Sequence, residues 1–232
     1  MADIVANIDG GTPAAGETSP GGEIGAILLL VYNQLKDEFG FEYPPSKILP
    51  YFDLFCAETV NLVPESYPVE DAIVLVSGAR QTLPADAISL IDVLYNVTGS
   101  GTTELATTAV KLINKNNLDS IFPGWPSSPA SATVLFVAVD SRNPKVFYTY
   151  PPQPSSSMGS IKVLLSELPD PITVDTEDFP FDDSYKPACV DYLIYRCLIE
   201  ETTIPNAQAK ATSFYNKYLT GLGMKDKVSK RG

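Results

Sequence analysis

The sequence predicts an α+β protein: a four-helix bundle, formed by one helix pair near each terminus, with an inserted small antiparallel β domain. Apolar residues recur at helical spacing over residues 24–62 and again over residues 190–222. Between these regions, β-branched and aromatic residues cluster in short runs that turn residues separate. Because neither helix pair can bury its apolar stripe alone, we expect the two pairs to pack together, with the β layer emerging from one end.

The chain divides into five predicted segments. Residues 1–22 form an arm rich in glycine and proline, with little to bury. The first helix pair occupies residues 23–66 and the β-rich insert residues 67–170. Residues 171–223 contain a linker and the second helix pair. A short basic tail, residues 224–232, ends the sequence.

Start and stop signals locate the first helix pair. The first helix begins at Glu23 and is ended by Gly40. The second helix follows Ser46, a residue type that suits the N-cap position, and Pro64 closes it. Pro50 lies at the end of its first turn and can shift the true start by a few residues.

The central region predicts a small antiparallel sheet or sandwich. Two β-rich runs flank the polar residues 140–145 and therefore predict a hairpin, which Pro151 and Pro152 end. Apolar residues at helical spacing predict one short helix over residues 105–113. The predicted strands are residues 72–76, 88–97, 133–139, 146–150 and 161–165.

The second helix pair follows an acidic, proline-punctuated linker over residues 169–183. One helix begins after Ser184, with Pro187 tolerated in its first turn. A turn over residues 202–206 separates it from the last helix, which the glycines near residue 222 end.

Net charge restricts the partners. The chain has 16 basic and 28 acidic residues and a formal net charge of −12. Readers of nucleic acid need a basic face that displaces counterions from phosphates, and anionic membranes attract basic surfaces. The longest apolar run, residues 24–32, is about half the length needed to span a bilayer, and no basic region precedes an apolar leader. We therefore expect no specific nucleic-acid binding, no membrane association and no secretion signal.

Composition also argues against catalysis. The chain has no histidine, which excludes Ser–His–Asp and Cys–His mechanisms and removes the commonest metal ligand. Adjacent carboxylates point in different directions on a helix, so each pair is expected to cap a helix or lie on the surface. The acidic linker lacks the spacing of a calcium loop. We expect no catalytic residue, cofactor or metal site. These carboxylate pairs are Asp37-Glu38, Asp182-Asp183 and Glu200-Glu201.

Three widely separated cysteines, Cys56, Cys189 and Cys197, form no disulfide framework. Each lies in a predicted buried helix, so we expect small apolar core residues, which fits synthesis in a reducing cytoplasm.

Two surface features each allow two interpretations. The aromatic residues Trp125, Phe147, Tyr148 and Tyr150 either stabilise the sheet or form a face that docks a protein or stacks on a sugar. The basic tail is either a solubilising end or an arm that becomes ordered against an acidic partner.

Four stretches, in order, resemble the head-to-tail adaptor (connector) family of short-tailed phages, the podophages. Together they extend over roughly residues 24–223. Each match alone is weak, and the shared order makes the set specific. The stretches are residues 35–49, residues 77–96, residues 140–152 and residues 185–215.

This resemblance implies a structural virion protein of the neck or tail, made in the host cytoplasm, and not an enzyme. It implies a ring, expected to be a dodecamer, between the portal protein and the tail tube or nozzle protein, through which double-stranded DNA passes during ejection without specific binding. By analogy, the C-terminal segment contacts the portal, and the β layer contacts the tail through Trp125, Phe147, Tyr148 and Tyr150. The portal candidates are Met224, Lys225, Lys227, Lys230 and Arg231.

Two other functions remain open at this point. A carbohydrate-binding or tail-fibre accessory module would use Trp125 and the hairpin aromatics. A virion glycosidase would need two carboxylates held apart in a cleft, and the sequence does not locate them.

Overall fold

A computed structural model describes residues 22–37, 40–99, 104–201 and 206–223, and these residues form an α+β fold. The helices are α1 (Gly22–Leu35), α2 (Pro45–Leu62), α3 (Lys115–Ile121), α4 (Lys186–Ile199) and α5 (Ala207–Gly221). The strands are β1 (Pro68–Val74), β2 (Gly78–Thr82), β3 (Ala87–Thr98), β4 (Leu105–Ala109), β5 (Lys111–Asn114), β6 (Phe136–Val139), β7 (Val146–Gln153) and β8 (Ser160–Glu167).

Helix α4 is the centre of the helical core, and α1, α2 and α5 each pack against it. Its apolar stripe is buried on nearly all sides. Phe55 of α2 lies 5.8 Å from the ring of Tyr192 in α4 and 6.0 Å from that of Tyr218 in α5, between ring centroids. The apolar stripes from the two ends of the chain therefore close on each other, as the hydrophobic pattern indicates.

The acidic segment between β8 and α4 is part of this core. Phe179 and Phe181 are buried, with ring centroids 6.2 Å and 5.5 Å from that of Phe55. The backbone N–H of Gly25 donates to the carbonyl of Asp175 at 2.8 Å, which attaches α1 to the same segment. The predicted four-helix bundle is not confirmed, because the linker contributes an aromatic layer to the core and a fifth helix, α3, lies in the β region.

The β region is a sandwich of two four-stranded sheets. Sheet A has the order β1-β8-β3-β4 and is antiparallel throughout. Sheet B has the order β2-β7-β6-β5, in which β5 and β6 are parallel. The predicted insert is therefore larger than a small antiparallel sheet and partly mixed. The predicted hairpin is confirmed as β6 and β7, where Phe136 pairs with Tyr150. The prediction that Pro151 and Pro152 end the second strand is wrong, because β7 continues to Gln153, which pairs with Gly78 of β2.

The predicted short helix over residues 105–113 is wrong. This segment forms β4 in sheet A and then β5 in sheet B. Threonines and a valine favour extended backbone here, and Val110, between the two strands, turns into the sandwich core. The helix begins only after Asn114, whose side chain accepts the N–H of Asn116 at 2.9 Å as an N-cap.

One end of the sandwich joins the helical core. The ring of Tyr67, just before β1, lies 5.9 Å from that of Phe181, and Ile88 in β3 packs against the helical cluster. The opposite end of sheet A, where β1 and β3 end and β8 begins, is called the distal end below.

Replacing Phe55 tests the aromatic core. Phe55→Ala removes a fully buried ring that contacts the linker and both C-terminal helices, so we expect the free energy of unfolding to fall by about 3–5 kcal/mol. Urea denaturation measures the change. Leu54→Ala is the matched control, because the neighbouring side chain is 42% exposed. Equal losses for the two variants would contradict the packing described.

Candidate assembly surfaces

The acidic side chains of the helical core hold helices together instead of converging on a cleft. Glu58 of α2 accepts hydrogen bonds from the hydroxyls of Tyr192 at 2.9 Å and Tyr215 at 2.6 Å. Glu200 accepts from Tyr51 at 2.7 Å. Burial, together with the Glu58 carboxylate, raises the pKa of Tyr215 to about 12, so its hydroxyl stays protonated and remains a donor.

The predicted capping role of Asp182 is confirmed, since its carboxylate accepts the N–H of Ser184 at 2.9 Å. Within the described ranges, no group of three or more cysteine, aspartate or glutamate side chains is arranged to hold a metal ion. No helix in the part of the chain that the structure covers is long and apolar enough to cross a membrane.

The three cysteines are core residues with free thiols. Burial raises the pKa of the Cys56 thiol and of the Cys197 thiol to about 12. Burial raises the pKa of Cys189 as well. Because the thiolate is the reactive form, none of these thiols is prepared for nucleophilic chemistry near neutral pH.

The predicted tail-contact aromatics separate into two groups. Phe147 is 1% exposed and lies in the sandwich core, so it stabilises the sheet from inside. Tyr148 and Tyr150 lie on the outer face of sheet B, under a cover formed by α3 and the turn over residues 125–127, and Trp125 belongs to this cover. Trp125 itself is 6% exposed.

A hydrogen-bonded cluster fixes this cover. The indole N–H of Trp125 donates to Asp119 at 2.8 Å, and Asp119 also pairs with Lys115 at 2.7 Å. Phe122 stacks on Tyr150 with ring centroids 4.6 Å apart. The set therefore offers packed rings and not an open aromatic platform. Of the four, Tyr148 and Tyr150 are partly exposed, and their contact with a tail protein stays a prediction.

The distal end of the sandwich carries a cluster of exposed apolar residues that the sequence did not single out. It comprises Val74 (69% exposed), Val76 (58%), Leu105 (66%) and Met158 (40%), and is called the apolar tip. Strand pairing brings them to one end: Val74 pairs with Ser160, two residues after Met158, and Leu105 pairs with Thr98.

A cleft beside the apolar tip has an uncharged lining. This cleft of roughly 300 Å³ lies between the ends of β3, β4 and β8, and its lining consists of valine, methionine, alanine, glycine, serine, threonine and asparagine. The nearby Lys162 ammonium pairs with Glu104 at 3.3 Å. Exposed apolar side chains beside polar residues are typical of protein–protein contact sites.

One buried amide, Asn96 of β3, holds the distal end together. Its side-chain oxygen accepts the N–H of Val134, and its amide nitrogen donates to the carbonyl of Val134, both at 2.8 Å. The same nitrogen donates to the hydroxyl of Thr108 in β4 at 2.9 Å. Asn96 thus connects sheet A to the segment that leads into sheet B and secures β4.

The predicted portal contacts Met224, Lys225, Lys227, Lys230 and Arg231 lie outside the described residues, as do residues 1–21 of the predicted arm. The structure does show where the tail begins. A side chain at Gly221 would lie 3.3 Å from Ala188, so α5 ends beside the start of α4. This is the end of the helical core nearest to Tyr67 and the sandwich.

An α+β chain with exposed apolar surfaces, and with carboxylates engaged in holding helices, belongs to the class of assembly proteins. A comparison with models of protein families identifies which one: residues 47–232 match the family described as SU10 adaptor protein, a family of phage head-to-tail adaptors. Since the match covers most of the chain, the chain belongs to this family, and the resemblance noted in the sequence is confirmed. A comparison with curated proteins found no match.

Thiol labelling tests the burial of the cysteines. Burial disfavours the thiolate and raises each thiol pKa, so at pH 8 the folded chain is expected not to react with a disulfide reagent. In urea, all 3 cysteines should react. A thiol that reacts as fast in the folded chain as in urea would show that its helix is not packed as described.

Asn96→Ala tests the amide at the distal end. The variant leaves the buried N–H and carbonyl of Val134 without these partners, so the free energy of unfolding should fall by about 1–3 kcal/mol. Urea denaturation measures the loss, and hydrogen exchange should show faster exchange in β4. Asn61→Ala is the control, because that side chain bonds only its own exposed helix turn. Indistinguishable stabilities would rule out the role assigned to Asn96.

Proposed function

We propose that this chain forms a ring, a dodecamer, between the portal and the tail tube or nozzle protein of a phage particle. Membership of a phage adaptor family is the observation that carries the proposal. The surfaces of the described residues support it. Exposed apolar side chains at the distal end are suited to protein contacts, and no cleft in the described part of the chain is lined by a group of ionisable side chains. The role is that of a virion component without catalysis.

Four of the five predicted segments receive a part in this proposal. Residues 23–66 and 171–223 build the helical body of the subunit, and residues 67–170 form the layer that faces the tail. The apolar tip supplies a surface suited to the tail-side protein, because its exposed valine, leucine and methionine side chains lose contact with water on docking. Tyr148 and Tyr150 of β7 belong to the same layer.

The basic tail, residues 224–232, is assigned to the portal. Lys225, Lys227, Lys230 and Arg231 outnumber Asp226 within it, although the whole chain carries a net charge of −12. Starting beside α4, nine extended residues can reach about 30 Å, more than the width of a neighbouring helix. Such a segment can lie along an acidic groove of the portal and become ordered there.

Passage of DNA fits the overall charge. Phosphates gain affinity for a protein when cationic side chains release their counterions. A strongly acidic subunit offers little of that gain, so a channel built from this chain lets DNA slide through without holding it.

Deleting residues 224–232 tests the portal contact. The structure ends α5 before this segment, so the shortened chain is expected to fold, which circular dichroism checks. Because the basic side chains are lost, it should no longer join DNA-filled heads. Binding is measured by co-sedimentation with heads that lack the adaptor.

A charge-matched pair of variants tests whether the positive charges of the tail, and not its length, account for binding to heads. Changing Lys225, Lys227, Lys230 and Arg231 to glutamine removes four positive charges. Changing the exposed Lys210 and Lys217 of α5 to glutamate shifts the net charge equally. Only the tail variant should lose binding. If both variants bind heads as the unchanged chain does, the tail is not the portal contact.

A further inference from the structure

We propose that sheet A continues from one subunit to the next, with the edge strand β4 of one copy paired with the edge strand β1 of a second copy. The inference rests on the proposed ring and identifies the surface through which copies join.

Strand β4 is an exposed edge without lysine or proline, and a bulge interrupts its pairing with β3. All five of its residues, Leu105–Ala109, are exposed, and none is charged or a proline. In the described residues it pairs on one side only, with β3. Natural proteins protect free edges with lysine, proline, bulges or covering elements, because unpaired backbone groups attract other strands. An exposed edge strand without charged side chains is therefore suited to pairing with another strand.

The strand directions of sheet A favour joining its two opposite edges. Strand β1 is antiparallel to β8, β8 to β3, and β3 to β4, so β1 and β4 run in opposite directions. When β4 of one copy lies beside β1 of the next, the new pair is antiparallel and the alternation continues. This contact is head-to-tail, the type that closes into rings.

The register places matching residues at the same height on both edges. Val74 pairs with Ser160, Ser160 with Val97, and Val97 with Ala106. One residue of β1 and one of β4 therefore occupy the same row of the sheet. Joining the edges without a shift sets Val74 of one copy beside Ala106 of the next and covers the exposed Leu105 next to it.

Charge distinguishes this pairing from joining two like edges. The exposed Glu70 and Asp71 lie on β1, whereas no residue of β4 is charged. An uncharged β4 can therefore lie beside these carboxylates without repulsion. Two β1 edges would instead oppose carboxylates.

Cysteine cross-linking tests the pairing in assembled particles. Val74→Cys combined with Ala106→Cys places one thiol on each edge, about 14 Å apart within a subunit, because three strand spacings separate them. That distance is too long for an intramolecular disulfide. After mild oxidation of particles that contain the variant chain, a non-reducing gel should show covalent multimers of this chain.

The control carries the same thiol on β4 and moves the other along β1. Glu70→Cys combined with Ala106→Cys is equally exposed but four residues out of register, about 13 Å along the strand. This variant and each single variant should remain monomeric on the gel. The native cysteines do not interfere, because all three are buried.

The outcomes separate this inference from the proposed function. The pairing of β4 with β1 is overturned if particles contain a ring of the variant chain but the gel shows no multimers. Dimers formed by single variants only, or cross-links to another protein, would overturn it as well. If the unchanged chain is itself absent from particles, the proposed ring is overturned.

Discussion

The packing around Phe55 is the constraint on which the rest of the structure depends. Its ring contacts aromatic residues from the linker and from both C-terminal helices, so segments more than 100 residues apart in sequence meet at one point. Aromatic pairs contribute about 0.5–1.5 kcal/mol each beyond their burial. Because the helices from the two ends are held together, the chain between them leaves and returns at one place, and the sandwich has a fixed position on the core.

Most of the fold could be predicted from periodicity, and the exceptions have physical reasons. The stripes of α1, α2, α4 and α5 follow the helical period and were recognised. Residues 105–113 happen to show the same spacing, but their threonines and Val110 favour extended backbone. Phe179 and Phe181 were assigned to a linker because prolines and acids surround them, and irregular backbone has no period that reveals burial.

The candidate surfaces were harder to predict than the core. Val74 and Leu105 are apolar residues in β-rich sequence, where the same residue type serves inside or outside, and only strand pairing shows that both lie at the distal end. Trp125 and its aromatic neighbours were conspicuous, yet α3 covers them. Asn96 could not be assigned a role because its partner, Val134, is 38 residues away in sequence. The sequence does predict the capping role of Asp182, but not the tyrosine hydroxyls that bond Glu58 and Glu200.

The uncovered edge of β4 has a consequence for the time between synthesis and assembly. A newly made subunit exposes a strand that can nucleate aggregates, and no lysine on that strand prevents it. Electrostatic repulsion offsets this hazard, since every copy carries a net charge of −12 and approaching copies repel over roughly the 8 Å screening length of physiological salt. This repulsion opposes the association of free chains, and concentrated salt weakens it.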